Sequence, residues 1–233
     1  MKKIAFLMMA FVAACSLTAC NETETTTASY TDFASVIASQ PVTLYTDKGE
    51  TLVVGKDRSG NFNPSYGQRT LVYYNLLQSA NGTIGSTKPI EVVGYYIFDL
   101  ANTAVLAEGE QTNYGEYDID IYTVSNQYYL VHTTKNVIDL AIIVPAKTEL
   151  SQHNYTLVLD ETAPYEGDNN LHLRLCHNAI ESEVTGAAVH TALLVSFSME
   201  EFAEYIEGTN GVTITVAGLN TTDDVQHTFK WIE

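Results

Sequence analysis

The chain has 233 residues, 11 of them basic and 28 acidic, and its formal net charge at pH 7 is −17. Nucleic acids and anionic lipid headgroups bind basic surfaces, so this charge excludes both as partners and leaves cationic peptides and divalent cations open. The part of the chain beyond the leader is long enough for one large or two small domains.

The first 19 residues have the layout of a secretory signal peptide. A cationic start, Lys2-Lys3, precedes an almost wholly apolar run over residues 4–17. Because a helix that spans a bilayer takes roughly 20 apolar residues, this run is too short to cross a membrane. The leader is therefore predicted to be removed, which leaves nine basic and 28 acidic residues and a net charge of −19.

Cys20 stands directly behind Leu17-Thr18-Ala19. This order resembles the lipobox of bacterial lipoproteins, which implies cleavage before Cys20 and attachment of acyl chains to it. Cys20 is the predicted lipidation site, and a lipobox at Cys15 or an ordinary signal peptide are the alternatives. Because two or three acyl chains anchor a protein stably, we expect a lipid-anchored protein of the cell envelope, at the outer membrane. Cys176 is then the only remaining thiol, so the folded part must be stable without an internal disulfide.

Residues 20–40 are rich in Thr, Ser, Ala and Glu and are predicted to form a flexible tether. A coil of that length reaches roughly 25 Å from the membrane. Glu22 and Glu24 resemble acidic signals that carry lipoproteins to the cell surface in some Gram-negative bacteria.

Alternating apolar and polar residues predict an N-terminal domain of strands over residues 41–112. Residues 41–54 predict two strands around an Asp-Lys-Gly turn, a loop follows, and residues 68–78 and 88–98 predict further strands. The strand over 68–78 has apolar residues on both faces, which indicates burial on both sides. A small OB-like β-barrel of about five strands is therefore predicted, because closure leaves few open edges.

A stretch rich in Gly, Glu and Asn places the domain boundary near residue 112. Seven short strand candidates follow within residues 113–233, at 127–133, 136–144, 154–160, 171–178, 190–198, 211–219 and 225–233. Their number and regular spacing predict an antiparallel β-sandwich. One short helix is predicted between Ser198 and Gly208, because Ser198 and Glu201 form a capping-box pattern. The predicted fold class is thus all-β.

Several stretches, in this order, resemble the NigD-like family of secreted lipoproteins. They are the lipobox leader, GQRTLVYYNLL at 67–77, LRLCHNAIESE at 173–183, and LLVSFSMEEF at 193–202 followed by GVTITV. The resemblance covers nearly the whole chain and implies an N-terminal OB-like barrel and a C-terminal β-sandwich. It also implies an association with bacteriocin genes and an immunity role, with no established catalytic residues. Cys176 and Glu181-Ser182-Glu183 depart from the family's commoner forms, which have arginine and Gly-Asp there.

The strand over residues 171–178 carries candidate site residues on one face and apolar residues on the other. Alternation groups His172, Arg174 and Cys176 on the first face and Leu171, Leu173, Leu175 and His177 on the second. His172 and Cys176 lie about 13 Å apart along the strand, too far to share a zinc ion. We expect a structural strand with Leu173 and Leu175 in the core, Arg174 and Cys176 outward, and His177-Asn178 hydrogen-bonded at its end.

Acidic residues form two groups that could hold a cation. Asp118 and Asp120 are predicted on one strand face, and one loop contains Asp160, Glu161, Glu166 and Asp168. The loop lacks the Asp-x-Asp-x-Asp-Gly spacing of calcium loops, so solvated carboxylates are expected and weak calcium binding stays open. Paired carboxylates also hydrolyse glycosidic bonds, but the sequence indicates no sugar-lined cleft. No metal site is predicted.

Fifteen tyrosines stand against one tryptophan, and Tyr-Tyr pairs recur at 73–74, 95–96 and 128–129. Each pair falls within a predicted strand, so one ring of each should face outward. Exposed tyrosines form rigid contact surfaces for proteins and sugars, although tyrosine is also a good strand residue.

These patterns favour a non-enzymatic, membrane-anchored lipoprotein that acts as a binding or bacteriocin-immunity-type module for a protein or glycan. A carbohydrate-binding or adhesin-type structural module at the cell surface is the alternative. The sequence contains no Gly-x-Ser-x-Gly elbow and no phosphate loop, and neither catalytic residues nor a cofactor are predicted.

The lipobox interpretation predicts that Cys20→Ala abolishes lipidation and releases the protein from membranes, because the thiol that carries the lipid is lost. Incorporation of labelled palmitate and membrane fractionation measure the two effects. Palmitate in the variant, or a wild-type protein that already fractionates as soluble, would contradict the interpretation.

Overall fold

The computed structural model describes residues 28–77, 87–108, 114–125, 127–146, 152–184, 190–219 and 221–232. The chain divides into two compact units, Met1–Asp99 and Leu100–Glu233. Strands dominate the described part of both units, which confirms the all-β prediction. Cys20 and the rest of the leader lie outside the described residues.

The N-terminal unit is a closed circuit of strands. They are β1 (Tyr30–Ser39), β2 (Val42–Thr46), β3 (Thr51–Asp57), β4 (Arg69–Leu76) and the first part of β5 (Thr87–Leu106). β1 pairs antiparallel with β2, β2 with β3, and β4 with both β5 and β1, while β3 and β5 run parallel. The hydrogen bonding therefore returns to β1, as in the predicted OB-like barrel, and leaves the circuit without an open edge.

Alternation along these strands fills the interior of the circuit with apolar side chains. The buried cluster consists of Ala34, Val36, Leu44, Leu52, Phe62, Val72, Tyr74, Ile90 and Val92. On β4, Leu71 and its neighbour Val72 are both buried, at 5% and 0% exposure. The prediction that this strand is buried on both faces is confirmed.

The turn between β2 and β3 is tied to the rest of the circuit by its charges. Its three charged residues pair with three different strands: Asp47 with Arg69 of β4, Lys48 with Asp32 of β1, and Glu50 with Lys88 of β5. The Arg69 guanidinium, 5% exposed, donates two hydrogen bonds to the Asp47 carboxylate at 2.8 and 2.7 Å. This two-point geometry is the strongest form of the arginine–carboxylate pair.

The predicted tether is wrong for residues 30–39, which form β1. Within this segment Asp32, Ala34 and Val36 are buried and the residues between them are not. The composition is polar, but small side chains at every second position fit the barrel interior, and pairing with two neighbouring strands satisfies the backbone.

The division between the units lies after Asp99, not near residue 112. β5 runs without a break from Thr87 to Leu106, so its first residues pair within the barrel and its last residues pair in the C-terminal unit. The change in composition that suggested the later boundary starts where this strand ends.

The C-terminal unit contains ten further strands within the described residues. They are β6 (Asp120–Ile121), β7 (Thr123–Val124), β8 (Gln127–Tyr128), β9 (His132–Thr133), β10 (Val137–Pro145), β11 (His153–Asp160), β12 (Asn170–Ala179), β13 (His190–Ser198), β14 (Gly211–Val216) and β15 (Val225–Lys230). One layer has the order β11, β12, β14, β15, with the end of β5 beside β11. In the other layer β10 pairs with β13, β6 and β9.

The two layers share one hydrophobic core, as the predicted sandwich requires. Ile138, Leu140 and Ile142 come from β10, and Leu171, Leu173 and Leu175 come from β12. The first layer is mixed rather than purely antiparallel, because β5 runs parallel to β11 and β12 runs parallel to β14. Parallel neighbours need long crossover connections, and here the connections carry the strands of the opposite layer.

The predicted short helix is confirmed as a 3-10 turn, Glu200–Phe202, that leads into α2 (Ala203–Ile206). Phe202 and Ile206 are buried in the sandwich core. A further helical turn, α1 (Glu181–Val184), was not predicted.

Leu173→Ala should lower the free energy of unfolding by about 2–5 kcal/mol, because it leaves a cavity in the sandwich core. Leu173 is 2% exposed, whereas Leu100, also in the C-terminal unit, is 62% exposed and provides the matched Leu→Ala control. Chemical denaturation measures both variants. Equal losses for the two would contradict burial of Leu173.

Candidate functional site

The expected roles of the strand over residues 171–178, now part of β12, are largely confirmed. Leu173 and Leu175 are buried in the core, at 2% and 1% exposure. Arg174 points outward and donates two hydrogen bonds to the Asp224 carboxylate, at 2.6 and 3.1 Å. The outward face of this strand therefore carries a surface ion pair.

The expectation that Cys176 faces outward is wrong. Cys176 is 8% exposed and lies opposite Thr156 of β11. Burial raises the pKa of the Cys176 thiol, and the nearby Arg174 charge opposes this only in part. A reactive thiol needs a lowered pKa, so Cys176 is a buried structural residue.

His177 is hydrogen-bonded as expected, but within the protein interior. It is 0% exposed, and its Nδ1 lies 3.0 Å from the backbone carbonyl oxygen of Asp118. A carbonyl only accepts, so Nδ1 carries the proton and Nε2 accepts a hydrogen bond from Nδ1 of His153 at 2.9 Å. Two histidines 24 residues apart thus form a directed pair.

Aromatic rings enclose His177 on several sides. His153 and Tyr155 stack on it with ring centroids 5.0 and 5.4 Å away, and Tyr117 meets it edge-on at 6.0 Å. Gly115 has φ +100°, and a Cβ there would lie 2.3 Å from the carbonyl oxygen of His177. Only glycine lets the segment before β6 pass this close to β12.

Burial, the largest cause, and the neighbouring His153 lower the pKa of His177 from 6.5 to about 4. The hydrogen bond to the Asp118 carbonyl acts in the opposite direction. The ring is therefore neutral near pH 7, and the cluster is a structural link within the C-terminal unit.

A second polar chain, not found from the sequence, joins three distant residues. Nε2 of His227 lies 2.7 Å from the Asp120 carboxylate, and Nδ1 of His227 lies 3.1 Å from the Tyr128 hydroxyl. Because the Asp120 carboxylate accepts from Nε2 of His227, Nδ1 accepts from the Tyr128 hydroxyl. An acid that orients a base, which in turn contacts a nucleophile, has this arrangement.

The electrostatics of this chain favour a structural role. Burial, and then the Asp120 charge, raise the pKa of Tyr128. A phenol with a raised pKa is a poorer nucleophile near neutral pH. Tyr128 also packs edge-on against Phe229, with centroids 4.7 Å apart, so it holds β8 against β15.

The two acidic groups noted in the sequence lie in different elements of the C-terminal unit. Asp120 lies in β6, whereas Asp118 precedes that strand. The backbone carbonyl of Asp118, rather than its carboxylate, bonds to His177. At the end of β11, the Asp160 carboxylate accepts hydrogen bonds from the backbone N–H and the hydroxyl of Thr162. Within the part of the chain that the structure describes, no three His, Cys, Asp or Glu side chains lie close enough together to hold a metal ion.

The tyrosine pairs do not all present a ring to solvent. Tyr128 is 46% exposed, but Tyr74 is 2% exposed and the other four rings are half-buried. The more exposed tyrosines are Tyr66 at 75% and Tyr45 at 48%, which lie outside these pairs.

Charge is distributed unevenly between the units. Residues 1–99 contain seven basic and eight acidic side chains, whereas residues 100–233 contain four basic and 20 acidic ones, a net charge of −16. The electrostatic field of the molecule therefore originates in the C-terminal unit.

No protein-family model matches the sequence, and no curated protein matches it. Solved structures do match. A protein of unknown function, DUF1344, from Bacteroides vulgatus superposes with a TM-score of 0.63 at 17% identity, over 87% of this chain and 90% of that one. A protein from Bacteroides fragilis named "Putative lipoprotein" gives 0.63 at 13% identity, over 87% and 96%.

A NigD-like immunity protein from Bacteroides caccae gives a TM-score of 0.52 at 16% identity, over 91% of this chain and 99% of that one. This chain has the fold of these three solved structures. The resemblance to the NigD-like family seen in the sequence is thus confirmed at the level of the fold. Among the described residues, no helix is both long and apolar enough to span a bilayer.

The free energy of unfolding should fall as the pH drops from about 6.5 towards 4, by on the order of 3 kcal/mol from His177. The unfolded chain takes up a proton on this ring near pH 6.5, but the folded chain only near pH 4. The unfolded state therefore binds more protons throughout this window, and acid favours it.

Urea denaturation between about pH 7 and pH 4.5 measures this slope. His177→Gln should reduce it, whereas His190→Gln, at an exposed position on β13, should leave it unchanged. A wild-type stability that stays flat across this window would contradict the neutral buried ring.

Proposed function

We propose that the protein is a lipid-anchored binding protein of the bacterial cell envelope that acts without catalysis as a bacteriocin-immunity-type module. The lipobox-like order Leu17-Thr18-Ala19-Cys20 supports anchoring through Cys20, and we propose the outer membrane as the location of that anchor. The fold shared with the B. fragilis protein named "Putative lipoprotein" supports a lipid anchor as well. The fold shared with the NigD-like immunity protein supports the immunity-type role.

The uneven distribution of charge between the two units is the main support for a partner with a basic protein surface. Most of the charge lies in the C-terminal unit, whose net charge is −16. Complementary potentials speed encounter and exclude wrong partners. A cationic polypeptide is therefore the partner that this unit would attract.

Two exposed segments form one acidic face on this unit. The face consists of Glu161, Glu166 and Asp168 in the loop after β11, and Glu200, Glu201, Glu204 and Glu207 around α2. The Tyr165 hydroxyl donates to the Tyr205 carbonyl at 2.6 Å, and the Asn169 amide donates to the Gly208 carbonyl at 2.9 Å. These bonds hold the two segments side by side.

The polar clusters within the C-terminal unit support a role without catalysis. The Cys176 thiol and the Tyr128 hydroxyl both have raised pKa values, so neither is activated as a nucleophile. His177 is enclosed by rings and makes its hydrogen bonds within the protein.

A neutral glycan is the second candidate partner, favoured by three exposed apolar or aromatic side chains of the barrel. Tyr45 lies opposite Ser35 in the β1–β2 pairing, and Ile37 lies at the irregularity between Val36 and Ala38. Tyr66 precedes Gly67, whose N–H donates to the Val36 carbonyl at 2.9 Å. The three side chains are 48%, 44% and 75% exposed, and tyrosine rings of this kind provide flat contacts for sugars.

Neutralising the acidic face should weaken binding to a lysine-rich peptide about tenfold and flatten its salt dependence. The test variant combines Glu200→Gln, Glu201→Gln, Glu204→Gln and Glu207→Gln in the full chain in detergent. Surface plasmon resonance over a series of salt concentrations measures the effect.

The matched control combines Glu108→Gln, Glu116→Gln, Asp118→Asn and Asp223→Asn, which are exposed positions of the same unit. The net charge changes equally, so only the position of the charges differs. Equal weakening by both variants would argue against a localised face. Capture of neutral glycans, lost in Tyr45→Ala, in place of peptide binding would favour the second candidate.

A further inference from the structure

The turn Glu166-Gly167-Asp168 places two carboxylates at opposite nitrogens of one imidazole. Asp168 Oδ1 lies 2.9 Å from Nε2 of His172, and Glu166 Oε2 lies 3.5 Å from Nδ1. Gly167 has φ +84°, which lets the chain reverse between the two acidic residues. The backbone N–H of His172 donates to the Pro164 carbonyl at 2.9 Å, and this bond links the turn to β12.

Asp168 determines which nitrogen of His172 carries the proton. Its carboxylate accepts hydrogen bonds from the backbone N–H and the side-chain amide of Asn170. Asp168 Oδ1 lies 2.9 Å from Nε2 and is the acceptor there, so Nε2 is the donor and Nδ1 is the ring nitrogen left for another ligand.

The Glu166 carboxylate is the charged group beside Nδ1 of His172. The His172 side chain is nine-tenths buried, and Nδ1 has no hydrogen-bond partner among the described residues. At 3.5 Å the Glu166 oxygen is too far for a good hydrogen bond to a protonated Nδ1. Two electron-rich atoms at this separation suit a cation between them.

We propose that Nδ1 of His172 and the Glu166 carboxylate bind a divalent transition-metal ion, with zinc the best fit. Zinc bonds to imidazole nitrogen and carboxylate oxygen are about 2.1 Å long, so donors 3.5 Å apart subtend about 110° at the metal, the tetrahedral angle. Calcium is a poor fit, because it takes six to eight oxygen ligands and no imidazole.

The surroundings supply the other features of such a site. Asp168 on the far nitrogen of His172 is the positioning carboxylate that metal-bound histidines usually have. The Glu166 side chain is 57% exposed, so water can fill the remaining coordination positions. With only two protein ligands among the described residues, because Asp168 is engaged by the far nitrogen of His172, the site would be open and exchangeable.

Isothermal titration of the full chain in detergent with zinc chloride tests the proposal. His172→Ala should remove one bound zinc ion, and Glu166→Gln should weaken that ion about tenfold or more. Asp168→Asn should weaken it by about 10–100-fold, as loss of a positioning partner does. Cobalt as a substitute should give the visible absorption of a tetrahedral ion in the wild type, and this signal should fall in all three variants.

His190→Ala and Glu161→Gln are the matched controls, since both residues are exposed and Glu161 lies in the same loop. Neither should change zinc binding. Melting temperatures without zinc verify that each variant is folded, and one zinc concentration should raise the melting temperature of the wild type more than that of Glu166→Gln. Absence of zinc binding in the wild type, or binding that persists in both His172→Ala and Glu166→Gln, would overturn the proposal.

Discussion

Burial of apolar side chains between the two layers of the C-terminal unit is the constraint on which the rest of that unit depends. Cys176, the one cysteine among the described residues, is a free thiol, so packing rather than a cross-link holds the layers. Because side chains alternate along a strand, a shift of one residue would turn a whole apolar face to solvent. His177 shares its face with Leu173 and Leu175, so the register that buries the leucines also buries the imidazole.

The two units differ in how their charged side chains are arranged, and this difference is relevant to the proposed function. In the described part of the N-terminal unit, ion pairs such as Arg69–Asp47 tie a turn to its neighbouring strands. The C-terminal unit has far more carboxylates than basic groups and exposes most of them. Like charges at a surface cost stability, and a basic partner or a bound cation at the acidic face would relieve that cost. The proposed zinc ion between His172 and Glu166 would act on the same face.

Residues far apart in sequence form most of the polar contacts that sequence reasoning missed. Asp120 and His227 are 107 residues apart, and His153 and His177 are 24 apart. No local motif marks such pairs, because they arise only when neighbouring strands adopt their register. Gly115 beside Tyr117 is a partial signal, since a glycine next to aromatic residues is consistent with close approach of two backbones.

Local patterns were sufficient for most of the strands, for their inward faces and for the position of the helix after β13, because period-two alternation acts over a few positions. The capping box that marked the helix is not formed, since Met199 stands at the N-cap without a side-chain hydrogen bond. Local patterns also indicated the OB-like barrel and the sandwich. Tertiary structure alone decided that residues 30–39 join the barrel, that β5 continues into the C-terminal unit, and that Cys176 is covered. These outcomes depend on strand pairing with distant segments, whose backbone groups and buried area no local window contains. The same reason applies to the Glu166–His172–Asp168 cluster. The acidic loop was visible in the sequence, but only the fold places Glu166 and Asp168 against His172.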